Sequence, residues 1–180
     1  GGAARLEKPS NINVILGRNG AGKSRFLRLL DSNLGAQEDY YVRYISPERA
    51  GVLKSDGNIQ NIIEQDRNWL RGARSRNQAD KFKAASATLM RELEMIYLRK
   101  LESNPEMRAD PTRTFDLDRL DRINGLLANI RVRRQGASFE FITRNEERVD
   151  AEDISSGESE AIALAGEIMY FFETIQTNRF

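Results

Sequence analysis

The sequence predicts an α/β fold organised around a glycine-rich loop, with a long helical insertion after it. Three observations predict this. A short β-branched run at residues 12–16 enters a glycine-rich turn, and a helical period leaves it. Residues 59–127 carry apolar side chains at three- and four-residue steps. Two stretches at 130–143 alternate apolar and polar residues, as paired strands do.

The elements follow in order. Residues 1–4 (Gly-Gly-Ala-Ala) have the composition of a linker and are set aside, leaving a single domain expected over residues 5–180. Ile12-Asn13-Val14-Ile15-Leu16 reads as a buried strand ended by Gly17. From Lys23 a helix is expected, with Phe26, Leu27, Leu29, Leu30 and Leu34 on its apolar side and Asn33 and Gly35 suited to stop it. Residues 40–45 (YYVRYI) read as a second strand, closed by Ser46-Pro47.

A helical insertion is expected over residues 57–128. Within it, 59–102 reads as polar helix with a break near Gly72, and its clearest face holds Phe82, Ala85, Leu89, Leu93, Ile96, Tyr97 and Leu101. Pro105 and Pro111 punctuate the next segment. A shorter helix follows, with Leu117, Leu120, Ile123, Leu126 and Leu127. Residues 130–133 and 138–143 form a hairpin around Gln135-Gly136-Ala137. A polar link at 144–153 leads to a last, apolar-rich helix at 158–175.

Composition excludes several chemistries. The 180 residues include no cysteine and no histidine, so disulfides, thiolate metal sites, serine–histidine triads and His-ligated zinc are ruled out. No stretch approaches the ~18 apolar residues of a membrane span, and the N-terminal residues lack a signal peptide's apolar run. A soluble, cytoplasmic domain with no membrane partner is the expectation. With 28 Lys+Arg against 27 Asp+Glu, net charge carries no message about partners.

Gly17-Arg18-Asn19-Gly20-Ala21-Gly22-Lys23-Ser24 fits the spacing G-x-x-x-x-G-K-[ST]. Glycines let successive backbone N–H groups turn inward on an anion, and the following helix adds its positive end. Lys23 then reaches the β and γ phosphates, and the Ser24 hydroxyl ligates Mg²⁺. From the 13 Gly, six Lys and 18 Ser+Thr of this chain, a chance match has an expectation of roughly 0.003. The loop implies a nucleoside triphosphate site, with Gly17, Asn19, Gly20, Ala21, Gly22, Lys23, Ser24 and Arg25 around the phosphates.

A second pattern, Ile154-Ser155-Ser156-Gly157-Glu158, stands before the last helix. Alone it reads as a helix cap, with Ser or Gly capping and Glu in the first turn. Together with the phosphate loop it resembles the signature of ABC-type P-loop ATPases, Leu-Ser-Gly-Gly-Gln/Glu, with Ile for Leu and Ser156 for the first Gly. The Asn-Gly-Ala-Gly-Lys-Ser form of the loop is typical of the same family. The Ser-Ser-Gly-Glu variant is most similar to its non-transporter branch: SMC-like heads, RecF-like proteins, OLD-family ATPases and ATPases of anti-phage systems.

The resemblance implies the N-terminal lobe of an ATPase head with ATP and Mg²⁺ as cofactors. It also implies a homodimer in which ATP is sandwiched head to tail, with Ser155, Ser156, Gly157 and Glu158 facing the partner's γ-phosphate. The implied role is ATP hydrolysis coupled to work on DNA, in repair or maintenance, or on a defence effector. Two departures accompany it. No Gln follows the second expected strand, where Glu48 or Ser46 stands in as an Mg²⁺ or water contact. The family's next strand ending Asp-Glu and its switch histidine are missing, so the resemblance implies an incomplete domain whose catalytic residues lie elsewhere.

Residues 66–83 combine six basic residues, Arg67, Arg71, Arg74, Arg76, Lys81 and Lys83, with Trp69 and Phe82. This composition suits a nucleic-acid backbone or, more commonly, a solvated helix surface. Two other functions stay open: a P-loop kinase or nucleotide transferase, and a nucleotide-gated interaction module with little hydrolysis.

Overall fold

A computed structural model of the chain describes residues 12–35, 37, 41–45, 57–66, 69 and 79–177, with the side chains at 60, 64, 79–85, 176 and 177 left out. The chain divides into two compact units, Gly1–Tyr44 and Ile45–Phe180.

In the first unit the described helix is α1, Lys23–Leu34, and Gly35 closes it by donating its N–H to the Asp31 carbonyl at 3.0 Å. Start and stop agree with the sequence reading. Asp31 lies on the buried side of α1, where its carboxylate accepts the Tyr44 N–H at 2.9 Å. That bond satisfies a buried donor and ties Tyr44, itself buried, back to the helix.

The two strands expected here are not found. Residues 12–16 and 41–45 lie outside any described strand, and Ile12, Val14 and Leu16 are 82%, 76% and 87% exposed. An apolar β-branched run becomes a buried strand only between neighbouring strands, and every described strand belongs to the second unit.

The second unit contains α2 (Gly57–Gln65), α3 (Ala79–Ser103), α4 (Pro105–Ala109), a π-helical turn (Asp116–Leu120), α5 (Asp121–Asn124) and α6 (Ser156–Thr177). Its described sheet is three-stranded and antiparallel, β1 (Ile130–Gln135), β2 (Ser138–Thr143) and β3 (Arg148–Val149), in that order. The hairpin pairs Ile130 with Thr143 and Gln135 with Ser138, leaving Gly136-Ala137 as a two-residue turn. β3 adds Val149 opposite Phe141 and Arg148 opposite Ile142, inside the segment expected to be a polar link.

The core forms where α3, α6 and one face of the hairpin meet. Met90, Leu93 and Tyr97 of α3, Ile162 and Ala165 of α6, and Ile130, Val132, Phe139 and Phe141 of the sheet are buried together. Phe115, Leu120, Ile123 and Leu127 complete it. Burying each large apolar side chain favours folding by about 1.5–3 kcal/mol. Rings order the cluster further: Tyr97 meets Phe115 edge-on at 5.9 Å, and Phe115 meets Phe139 at 6.2 Å. A smaller cluster gathers Ile63, Trp69 and Tyr170 about Leu89.

The expected helical face of α3 appears as buried Leu89, Leu93 and Tyr97, with Ile96 and Leu101 half-buried. Phe82 and Ala85 belong to the side chains not described. Leu117 and Leu126, expected on the shorter helix's apolar face, are 52% and 64% exposed. The Asp121 N–H bonds the Asp116 carbonyl five residues back, so this turn is wider than an α turn and rotates Leu117 off the face. Leu126 falls beyond the end of α5, past Gly125.

Polar contacts lock the elements. Glu173, buried on α6, is held by Arg119 of the π turn and by Lys100 of α3 at 3.2 Å. Arg119 also stacks over Tyr97, 5.3 Å from the ring centre. The Tyr97 hydroxyl donates to Asp118 at 2.8 Å; burial first, then that carboxylate, pushes the phenol up to about 12, keeping it a donor at every physiological pH. Arg134 joins β1 to Glu94 of α3 and to Asp116, each at 2.8 Å.

Asn124 bridges α5 and β1: its Oδ1 accepts the Val132 N–H at 2.7 Å, and its Nδ2 donates to the Val132 carbonyl at 3.0 Å. Replacing Asn124 by Ala leaves both backbone groups unmatched. The expected loss is about 1–3 kcal/mol of unfolding free energy in urea. Asn145→Ala, on an exposed turn, should stay within about 0.5 kcal/mol of the parent.

Candidate functional site

The phosphate-loop pattern folds as a tight turn running into α1. Gly20 and Gly22 have φ of 81° and 87°, a left-handed backbone that side chains disfavour, which explains glycine at these two places. Between them the Ala21 N–H closes on the Arg18 carbonyl at 3.1 Å. Gly22 caps α1, and the Phe26 N–H bonds its carbonyl at 2.8 Å.

Lys23 is the first residue of α1, and its ammonium bends across the loop. It donates to the carbonyls of Gly17 at 2.8 Å and Arg18 at 2.9 Å. Residues 17–22, Ser24 and Arg25 are exposed, and Lys23 is half-buried. The loop therefore offers solvent a helix N-terminus and a primary ammonium, with the Ser24 hydroxyl in the first turn. No acidic residue occupies that first turn to oppose an anion. Ser24 fits Mg²⁺ as a hydroxyl donor, because this ion commonly takes few protein ligands and completes its shell with phosphate oxygens and water.

The second pattern lies in the other unit, at the start of the 22-residue helix α6. Ser155 caps the helix: its Oγ accepts the Glu158 N–H at 3.3 Å, and its hydroxyl donates to Glu158 Oε2 at 2.9 Å. The Ser159 N–H bonds the Ser155 carbonyl at 3.0 Å. Ser155, Ser156 and Gly157 are exposed, and an added Cβ at Gly157 would meet nothing within 4 Å. Nothing among the described residues requires glycine there.

Glu158 reaches further than the cap. Its Oε1 accepts the N–H of Ala128 at 3.1 Å and of Asn129 at 2.8 Å, and the Asn129 side-chain amide lies 3.5 Å from Oε2. The Asn129 N–H is the leading reason that the Glu158 carboxyl sits below its ordinary value of 4.5; desolvation opposes it, and Ser155, the Asn129 side chain and the Ile130 N–H add to it. The cap read in the sequence, with Ser or Gly capping and Glu in the first turn, is made by Ser155 and Glu158. Ala128 and Asn129 carry no such signal, since their part is played by backbone N–H groups thirty residues upstream.

The remaining candidates lie outside the described residues: Glu48 and Ser46, and most of the basic segment, including Arg67, Arg71, Arg74 and Arg76. The side chains of Phe82, Lys81 and Lys83 share that position, and Trp69 is half-buried in the cluster about Leu89. Among the described residues no helix is long and apolar enough to cross a membrane. Comparisons with protein-family models, curated proteins and solved structures return no match.

The lowered Glu158 value has a defined consequence for stability. Its charged form is favoured in the folded chain, so the unfolded chain binds more protons at acid pH and stability rises with pH there. The contribution is complete above the ordinary value of 4.5 and is lost as the pH falls through the lower, folded-state value. Glu158→Gln lacks this contribution. Urea midpoints of parent and variant, compared across about pH 2–6, should therefore converge toward the acid end. A gap that stays constant with pH would contradict the assignment.

Proposed function

We propose that this chain is an ATP-binding head of the ABC type, from the non-transporter branch, that dimerises head to tail through ATP. The proposed setting is cytoplasmic, with DNA or a defence effector as partner and ATP hydrolysis as the driving reaction. One observation carries the reading. Residues 17–24 combine two left-handed glycines, Gly20 and Gly22, with a lysine that opens a 12-residue helix and aims its ammonium across the loop. A polyanion is the ligand such an arrangement suits.

On binding ATP, the Lys23 ammonium exchanges the neutral Gly17 and Arg18 carbonyls for anionic β- and γ-phosphate oxygens. Backbone N–H groups of the loop and the positive end of α1 surround the phosphates. Ser24 is the residue that would hold Mg²⁺, and the ion would supply positive charge against the phosphates. Across the dimer, Ser155 and the first-turn N–H groups of α6 face the partner's γ-phosphate. The exposure of 155–157 and the open space at Gly157 support that role, since a glycine with no described neighbour permits close approach from outside. No residue is assigned as general base.

The Ser155–Glu158 cap favours a second reading, because it gives both residues a complete task within the chain. There the chain is a P-loop kinase, transferase or nucleotide-gated module, and the turn before α6 is a helix cap only.

Two measurements test these readings. Lys23→Ala should weaken Mg-ATP binding at least about tenfold in calorimetric titration, since a charge-assisted contact is worth ~1.5–3 kcal/mol. Unchanged affinity defeats the phosphate-loop assignment.

Ser155→Arg should leave ATP binding to the single chain nearly intact, yet abolish dimerisation in light scattering with a non-hydrolysable ATP analogue. A variant that dimerises like the parent returns the cap-only reading to the front.

A further inference from the structure

The Glu158 carboxylate has four acceptor positions on two oxygens. Ala128 N–H, Asn129 N–H and the Ser155 hydroxyl donate to it, and the Ile130 N–H at the start of β1 also stabilises its charge. The Asn129 side-chain amide lies at the limit of hydrogen-bonding distance from Oε2, at 3.5 Å. An ordinary capping box would return this carboxylate to the N–H of the capping residue itself. Here it leaves its own helix and grips the link between α5 and β1. That link is short and anchored on both sides, because Leu127 before it and Ile130 after it are core residues.

Ser155 has a single hydroxyl proton, and it is committed to Glu158. A phosphate oxygen approaching Ser155 needs that same proton. It also meets the negative charge of Glu158 behind the hydroxyl, while the orphan N–H groups of α6's first turn attract it. Binding an anion at this turn must therefore take the proton of Ser155 from Glu158 and change what the carboxylate holds.

From this geometry we infer that Glu158 is a positioning residue that couples occupancy of the Ser155–Gly157 turn to the Ala128-Asn129 link, and through it to the β1–β2 hairpin. The inference rests on the ATP-dimer reading above and names how that site is regulated. When the hydroxyl turns to phosphate, Oε2 keeps only the long contact from the Asn129 side-chain amide, and the carboxylate shifts onto the backbone N–H groups of the link. The link feels the nucleotide of the other subunit without touching it.

Glu158→Gln and Glu158→Ala separate positioning from bulk. The glutamine oxygen still accepts from Ala128 and Asn129, and its NH₂ faces Ser155 Oγ as a donor, which frees the hydroxyl proton for phosphate. Dimerisation with the Mg²⁺-bound, non-hydrolysable ATP analogue should fall at least about tenfold for Ala, which releases the Ala128-Asn129 link from α6, and fall less for Gln, which still holds it. Hydrogen exchange supplies a readout that simple structural support does not move. In the parent, protection of the Ala128 and Asn129 amides should change when the analogue is added, and in Ser155→Ala it should not.

Equal dimerisation by the parent and Glu158→Ala overturns the inference. So does an Ala128-Asn129 link whose protection ignores the analogue in a parent that dimerises, and this measurement stands even where Glu158→Ala fails to fold. If the parent never dimerises with the analogue, the ABC-type reading fails first and the coupling fails with it. The two failures are thereby distinguishable.

Discussion

The arrangement of the second unit depends on how α6 is held at its two ends by carboxylates. Near its start, Glu158 collects the Ala128 and Asn129 N–H groups and the Ser155 hydroxyl. Near its end, Glu173 is buried, and a buried charge is tolerated only when it is paired. Arg119 and Lys100 pair it, one from the π turn and one from α3. Removing either cation leaves the carboxylate poorly compensated, so the positions of α3, the π turn and α6 are set together. The apolar core supplies the driving force between these anchors, and the anchors supply the register.

The first unit works on a different principle. Its loop owes its shape to backbone: two left-handed glycines, one tight turn, and a helix whose first residue folds back on the loop. Little of it depends on burial, since the loop residues are exposed. A loop built this way can exchange internal carbonyl contacts for an anion at small cost to the surrounding fold. The turn at Ser155 is more constrained, because its hydroxyl already serves a carboxylate that holds a distant backbone link.

What could be read in the sequence follows from how local each feature is. The phosphate-loop spacing, the start and stop of α1, the hairpin and the face of Leu89, Leu93 and Tyr97 are written in consecutive or helically spaced residues. The strands expected at 12–16 and 40–45 rested on β-branched content, which states a preference and supplies no neighbour. β3 is two residues long, too short for any alternation to announce it. The π turn moved Leu117 out of a face that ideal α geometry had placed inward. At the candidate site, the Ser155–Glu158 pair was legible as a cap. Its reach to Ala128 and Asn129 was not, because backbone N–H groups carry no residue identity.

The bridge from Asn124 to Val132 has a consequence for how the chain behaves among copies of itself. Val132 points its N–H and carbonyl away from β2, toward the outer edge of the hairpin, where a foreign strand could otherwise add. The Asn124 amide mimics one residue of such a strand and takes up both groups. On the opposite side β3 presents only two residues, which limits the length over which pairing could spread. Among the described residues the outward groups of Val132 are thereby closed, and there a side-chain amide performs the guarding that other proteins give to a lysine, a proline or a bulge.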